Sequence, residues 1–480
     1  METSNLIAGV WRGARDGSSM AVRDAATGVE LGRVPCSGGQ EALEAVDAAS
    51  SALGDWSARS TTDRATVLGS IAHALRARKD EFAAIITAEN GKPLDESHGE
   101  IDYSADYFLS AAQEAIRLAE ESIPSRNPAR SLAAIPEPIG VVAAITPWNF
   151  PLAMLARKTA PALAVGCTQV VKPAEQTPLT AILFAEVLMD AGLPSGAFNL
   201  VTGDASAISR AWLSDGRVRK LSFTGSTRVG RLLMHAAADQ IVRLSLELGG
   251  HAPFIVFRDA DIPAAVAAAI AGKFRVAGQT CVCPNRFLVA AEVYEQFVTR
   301  FVAAARALPI GKGCEPTTRI GPLISDTAVA RVRAQVDDAL AKGAKLLAGG
   351  ATVPVTGCLD RFFAPTVLAD ASPEMLCFQE ETFGPLAPIA KFGDEAEAIR
   401  IANATPYGLA AYAFSSDAAR LDRVSRQLHC GIVGANTGVI SDAFAPFGGC
   451  GWSGFGREGG RWGLYEYLSW KYVCTATRVS

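Results

Sequence analysis

Apolar positions in residues 62–119 recur at helical intervals. Leu68, Ile71, Leu75, Phe82 and Ile85 fall three, four or seven residues apart, which predicts amphipathic helices lying on a core. Asn90-Gly91-Lys92-Pro93 is a helix stop followed by a breaker. Residues 1 to about 55 carry no such period and read as turn-rich, with short strands such as Val22 to Val34. From Gly140 onward apolar strands alternate with helices. The strands are Gly140 to Ile145, Gln169 to Lys172, Phe198 to Val201, Lys220 to Thr224 and Ala252 to Phe257; helices such as Leu179 to Ala191 and Thr227 to Ala238 lie between them. Such alternation predicts a parallel sheet covered by helices on both faces. A second alternating run follows from Ala264 to about Phe444, and Tyr465 to Val473 alternates like a strand.

Composition narrows the class. A chain of 480 residues has room for about three domains at roughly 150 residues each. Hydrophobic residues make up 49% and charged residues 20%, ordinary for a globular protein with a sizeable core. The net charge of −4 and the lack of a basic run leave no electrostatic footprint for nucleic acid. Ile139 to Ala156, the longest uncharged stretch, is cut by Pro147, Asn149 and Pro151, and reads as a buried strand, a loop and a helix start rather than a membrane span. The ten cysteines are scattered and form no disulfide framework, and Met1 to Gly13 lacks the layout of a signal peptide. A reducing cytoplasm is the expected location.

Several short segments carry candidate chemistry. Gly278-Gln279-Thr280-Cys281-Val282-Cys283 sets a cysteine at the end of a small turn, where a thiol can attack a carbonyl carbon and hold it covalently. Glu247-Leu248-Gly249-Gly250 lies upstream; a carboxylate in an apolar pocket gains basicity and can activate water. In Thr146-Pro147-Trp148-Asn149-Phe150-Pro151 two prolines fix the backbone around Asn149, whose amide could stabilise an oxyanion or cap a turn. Lys172 and Glu175 follow a strand and could bond ribose hydroxyls, or form a solvated charge pair. Phe223-Thr224-Gly225-Ser226 joins a strand to a helix whose first amides could face a pyrophosphate. The five histidines form no pair at ligand spacing, so no metal is expected.

These segments, with Glu381-Thr382-Phe383-Gly384-Pro385 and Pro446-Phe447-Gly448-Gly449, occur in an order that resembles the aldehyde dehydrogenase superfamily over essentially the whole chain. The resemblance implies an α/β fold of two doubly wound parallel-sheet domains plus a small oligomerisation flap. Residues 1–120 and 141–250 would bind the dinucleotide, 251–445 would form the catalytic domain, and 121–140 with 446–480 would make the oligomerisation segments of a homodimer or homotetramer. It implies Cys281 as nucleophile, Glu247 as general base, and Asn149 with the Cys281 amide as oxyanion hole. Trp148, Lys172, Glu175, Gly225, Ser226, Leu248, Glu381 and Phe383 would contact the dinucleotide. Glu175 argues for NAD, with NADP possible, because a carboxylate accepts from a ribose diol and repels a 2′-phosphate.

Within the superfamily, Gly278 to Cys283 with Asn285-Arg286, Gly438-Val439-Ile440-Ser441 and Gly456-Arg457-Glu458-Gly459 resemble the succinate-semialdehyde dehydrogenase branch. There Arg157, Arg275 and Ser441 would hold the substrate's far carboxylate. Two guanidiniums at a fixed distance from the thiol would bind that charge and set the chain length. The expected reaction is oxidation of a short carboxylate-bearing aldehyde, succinate semialdehyde first. Glutarate semialdehyde, an uncharged aldehyde and a catalytically silent homologue are the alternatives. Cys283, two residues from the nucleophile, is a candidate redox partner for it. Trp452 stands after Gly448-Gly449 where it could narrow the substrate mouth.

Overall fold

The computed structural model describes residues 3–476; the outer ends of the expected terminal segments, 1–2 and 477–480, lie outside the described residues. The first sheet has eight strands. Its five central ones run parallel in the spatial order Phe198–Leu200, Thr168–Lys172, Val141–Ile145, Val218–Thr224, Arg243–Glu247. The chain therefore starts in the middle at Val141–Ile145, winds outward one way, and returns to wind the other. The reversal falls between Val141–Ile145 and Val218–Thr224, where such sheets open a ligand crevice at the carboxyl ends. Side chains of Val141–Ile145 alternate between two cores. Val141, Ala143 and Ile145 pack with Val46 and Trp212, whereas Val142 and Ala144 pack with Leu155 and Ile182. Burial on both faces explains an unbroken apolar run instead of an apolar–polar alternation.

A second, seven-stranded sheet is built the same way around Ala252–Val256. Pro284–Ala290, Leu386–Phe392 and Thr366–Ala369 lie on one side of it; Ala410–Phe414 and Ile432–Ala435 lie on the other. Only four residues, Leu248 to His251, separate the end of Arg243–Glu247 from the start of Ala252–Val256. The chain thus leaves the carboxyl edge of one sheet and enters the amino edge of the next almost at once. A third sheet pairs Leu468–Ala476 along Arg130–Pro138, which in turn pairs with Glu121–Ile123.

The strand and helix expectations from Gly140 to Phe257 hold to within a residue or two, and the helix before the breaker ends at Asn90 with Gly91 left-handed at φ 89°. The N-terminal region differs. Val22 to Val34 is a hairpin of Ser19–Arg23 and Glu30–Pro35, and Gly39–Ala58 is a 20-residue helix, not turns. Its buried stripe is Ala42, Ala45, Val46, Ala49 and Trp56. The spacing is helical, but alanine carries little hydrophobic weight, and Gly38 and Gly39 at its start and Gly54 within it read as breakers. Glu41 closes its first turn by accepting from the Gly38 N–H at 3.0 Å. Among the described residues no helix is long and apolar enough to cross a membrane.

Candidate active site

The carboxyl ends of the first sheet face the amino ends of the second, and a cleft of about 290 Å³ opens between them. Trp148, Asn149, Gly225, Ser226, Leu248, Cys281, Glu381 and Phe383 all line it. Eight positions chosen from sequence motifs up to 235 residues apart thus meet on one surface. Strand register accounts for the first-sheet half: Ile145 pairs with Lys172 and Phe223, and Thr224 with Glu247, so the loops after these strands emerge side by side.

The turn that presents Cys281 is unusual backbone. Val276, Ala277 and Gly278 have φ of 51°, 51° and 76° in succession. A β-branched residue in the left-handed region costs about 1–3 kcal/mol, so the surroundings must impose it. Gly278 fits because a Cβ there would lie 2.2 Å from the Gly384 carbonyl oxygen, and Gly250 fits because one there would meet the Cys281 carbonyl oxygen at 2.2 Å. Burial pushes the Cys281 thiol up to about 12; Arg157 and Arg275 draw it down, and Glu247 and Glu381 oppose them. The Cys281 N–H has no acceptor among the described residues.

Asn149 is buried and donates one amide hydrogen to the Gln279 carbonyl oxygen at 2.9 Å. Its second hydrogen stays free for an oxyanion beside the Cys281 N–H. Behind it sits a pair that the sequence does not advertise. Lys92 Nζ donates to the Asn149 carbonyl oxygen at 2.7 Å and pairs with Glu100 Oε2 at 2.6 Å, both side chains fully buried. Glu100 Oε1 in turn accepts from the N–H groups of Leu152 and Ala153 at the start of helix Ala153–Ala164. Asn90 donates to the Trp148 carbonyl oxygen at 3.0 Å. The helix-stop segment therefore doubles as the cradle of the Asn149 loop.

Glu247 ends its strand 3% exposed, and neither carboxylate oxygen has a hydrogen-bond partner. Burial raises it well above the usual carboxylate range, and the like charge of Glu458 adds to this; Arg157, Lys158 and Arg457 pull it back. A buried, unpartnered carboxylate is costly, which makes Glu247 a candidate functional position. Gly448 borders it, since a Cβ there would stand 2.9 Å from Oε1.

Arg157 is placed differently from the expectation. Its Nε lies 2.7 Å from Glu458 Oε2, its guanidinium stacks 3.8 Å over Phe447, and Lys158 Nζ takes the other Glu458 oxygen at 2.6 Å. Arg157 is not part of the cleft wall; its Nη2 is buried without a hydrogen-bond partner, and Nη1 lies 3.9 Å from the sulfur of Met154, which does line the cleft. Arg275 is half-buried, stacks 5.0 Å over Phe150, and has no ion-pair partner among the described residues. Ser441 is half-buried outside the cleft lining. Cys283 is fully buried beside Lys273, whose Nζ lies 3.4 Å from its sulfur, and does not reach the cleft. Trp452 does not narrow the cleft: it packs on Tyr407 and under Arg231, with its carbonyl accepting from Thr227 Oγ1.

The residues expected to contact a dinucleotide form a cradle that extra side chains would fill. At Gly225 a Cβ would meet the Phe223 ring at 2.4 Å, and at Gly249 one would meet Glu381 Oε2 at 2.5 Å. Ser226 caps helix Thr227–Ala237 beside the cleft, leaving first-turn amides for an anion. Glu381 accepts from the Gly250 N–H at 2.8 Å; burial raises its carboxyl to about 7. Phe383, at φ 50°, meets Trp148 edge to face at 5.6 Å. Lys172 and Glu175 stand off the lining as an ion pair of 2.6 Å, with Glu175 exposed. Arg331, Gln176 and Met154 line the cleft without having stood out in the sequence. They sit in ordinary helical or loop patterns, and nothing local marks them.

The aldehyde dehydrogenase family model matches residues 11–473. Succinate-semialdehyde dehydrogenase [NADP(+)] of Escherichia coli K12 is 48% identical over 469 residues, 98% of this chain and 97% of the relative. Glutarate-semialdehyde dehydrogenase of Pseudomonas aeruginosa is 47% identical over 466 residues, covering 97% and 96%. The crystal structure of succinate-semialdehyde dehydrogenase from Burkholderia pseudomallei superposes with a TM-score of 0.97 at 47% identity, covering 99% of this chain and 98% of that one.

Proposed function

The chain belongs to the aldehyde dehydrogenase family, and from that premise we propose that it oxidises a short carboxylate-bearing semialdehyde, of succinate or glutarate length, to the acid. The observation that carries this reading is the convergence of Cys281 and the free donors of Asn149 and the Cys281 amide on one cleft, with the unpartnered Glu247 carboxylate behind its lining and close enough to raise the Cys281 thiol. The Cys281 thiolate adds to the aldehyde carbon, and the two donors receive the oxygen's charge. A bound nicotinamide supplies the hydride acceptor. Trp148, Gly225, Ser226, Leu248, Glu381 and Phe383 line the space that would hold it, with the Lys172–Glu175 pair at its margin. Glu247 then draws a proton from water, which attacks the thioester on Cys281 and frees the acid. Water activation of this kind argues against transfer of the acyl group to a thiol such as coenzyme A.

Arg275 supports the substrate class. It lies off the cleft lining but near enough to draw the Cys281 thiol down, and no carboxylate among the described residues pairs with it, whereas Arg157 has its Nε against Glu458 and its Nη1 against Met154. A charge-assisted hydrogen bond contributes about 1.5–3 kcal/mol, so Arg275→Ala should lower kcat/KM for succinate and glutarate semialdehydes roughly 10- to 100-fold. Uncharged aldehydes of equal length should change little. Equal losses on both classes would end the carboxylate assignment.

Cofactor use follows from Glu175. Its carboxylate favours a ribose diol, while Lys172, 2.6 Å away, offsets part of its charge. The expected preference is NAD, with NADP accepted, as the name of the Escherichia coli relative suggests. Glu175→Gln should raise the NADP-to-NAD ratio of kcat/KM about tenfold, near one charge interaction in a partly screened site. A parent that already prefers NADP would overturn this role.

The sheets support a division into a dinucleotide-binding unit around the first, a catalytic unit around the second, and an oligomerisation arm from the third, in which Leu468–Ala476 is an edge strand.

A further inference from the structure

Helix Leu94–Arg117 touches both halves of the reaction centre. Four residues apart on one of its faces, Glu96 and Glu100 each hand a carboxylate to a different catalytic loop. Glu100 holds the Asn149 side, through Lys92 and the N–H groups of Leu152 and Ala153. Glu96 Oε2 accepts from the N–H of Val276 at 2.8 Å, the first of the three left-handed residues that lead to Cys281. The other restraints on that turn are local to the second-sheet side. Gln279 bonds the Val276 carbonyl through both its N–H and its side chain, accepts from the Ile324 N–H, and Gly278 wedges against Gly384. Among the described residues, apart from Asn149 itself, Glu96 supplies the hydrogen bond that ties this turn to the layer carrying the oxyanion donor.

We propose that Glu96 is a positioning residue, whose carboxylate holds the left-handed turn Val276–Gly278 and so aims Cys281 and Arg275 at a substrate placed by Asn149. The inference rests on the semialdehyde reading above. It adds a residue that touches neither substrate nor cofactor, and it assigns Glu96 a geometric task in which acceptor position matters more than charge. Misplacement of a reacting atom by about 1 Å can cost up to about a hundredfold in rate.

The test compares Glu96→Ala with Glu96→Gln in the full-length protein. Glu96→Ala should lower kcat for succinate semialdehyde about tenfold or more while the KM for NAD stays within about twofold. Amide hydrogen exchange in the peptide covering residues 275–281 should speed up in the same variant. Glu96→Gln offers an amide oxygen to the same N–H and should keep both readouts near the parent. Parental kcat and exchange in Glu96→Ala would overturn the proposal, as would a Glu96→Gln variant as impaired as Glu96→Ala. If Glu96→Ala does not fold, Glu96→Asp withdraws the acceptor by one methylene at unchanged charge and is read the same way. A parent inactive on every aldehyde would sink the functional reading; an active parent with an unaffected Glu96→Ala sinks this inference alone.

Discussion

Replacing Cys281 by serine is expected to stop aldehyde-dependent reduction of NAD, with kcat falling by more than about 10³-fold, on the order of 4 kcal/mol of lost transition-state stabilisation. Serine keeps the size of the group and the backbone of the turn, so the left-handed segment and the free Cys281 N–H position are unchanged. What disappears is the nucleophile. Burial already pushes the thiol up to about 12, with Arg157 and Arg275 working to stabilise its anion. A serine hydroxyl is far less acidic than a thiol, so the same two guanidiniums cannot bring a useful fraction of it to the anion. Dinucleotide binding should survive, read by quenching of Trp148 in the cleft. Mass spectrometry of the parent during turnover should show an acyl adduct on the peptide carrying Cys281, absent from the variant. Turnover by Cys281→Ser within tenfold of the parent would refute covalent catalysis at this position.

How much of this was legible in the sequence depends on the range of each interaction. Strands such as Val141–Ile145 declare themselves because burial on both faces demands a continuous apolar run. The turn motifs were legible because glycine, proline and the chemical groups sit within six residues of one another. Helix Gly39–Ala58 was hidden, since its buried stripe is mostly alanine and its glycines imitate loop. Nonlocal charge pairs were out of reach. Lys158 meets Glu458 across 300 residues, and no spacing rule predicts that Arg157, read as a substrate clamp, would turn its Nε to the same carboxylate. Lys92 and Glu100 were likewise invisible as partners, because a charge eight residues from another suggests a solvated surface until the fold seals both. The motifs named what can react; the residues that hold those groups in place came only from the structure.

Glu247→Gln separates the two halves of the reaction. Cys281, Asn149 and the dinucleotide cradle remain, so acylation and hydride transfer should still run once. Hydrolysis should not, because an amide cannot take a proton from water. Mixing with saturating semialdehyde and NAD should give a burst of about one NADH per site, followed by a steady state slower by about 10²- to 10⁴-fold, the usual contribution of a general base. The acyl adduct on Cys281 should then be isolable after acid quench. The pH dependence carries a sign of its own. Burial and the charge of Glu458 raise Glu247, so its basic form is scarce at low pH and grows as pH rises. Deacylation by the parent should therefore climb through the neutral and alkaline range, and the slow rate of Glu247→Gln should lose that limb. A variant that turns over without a burst, or one that keeps the parental pH limb, would move the base elsewhere. The unpartnered oxygens of Glu247 would then need another explanation, and the buried Glu458 alongside it would be the next carboxylate to replace.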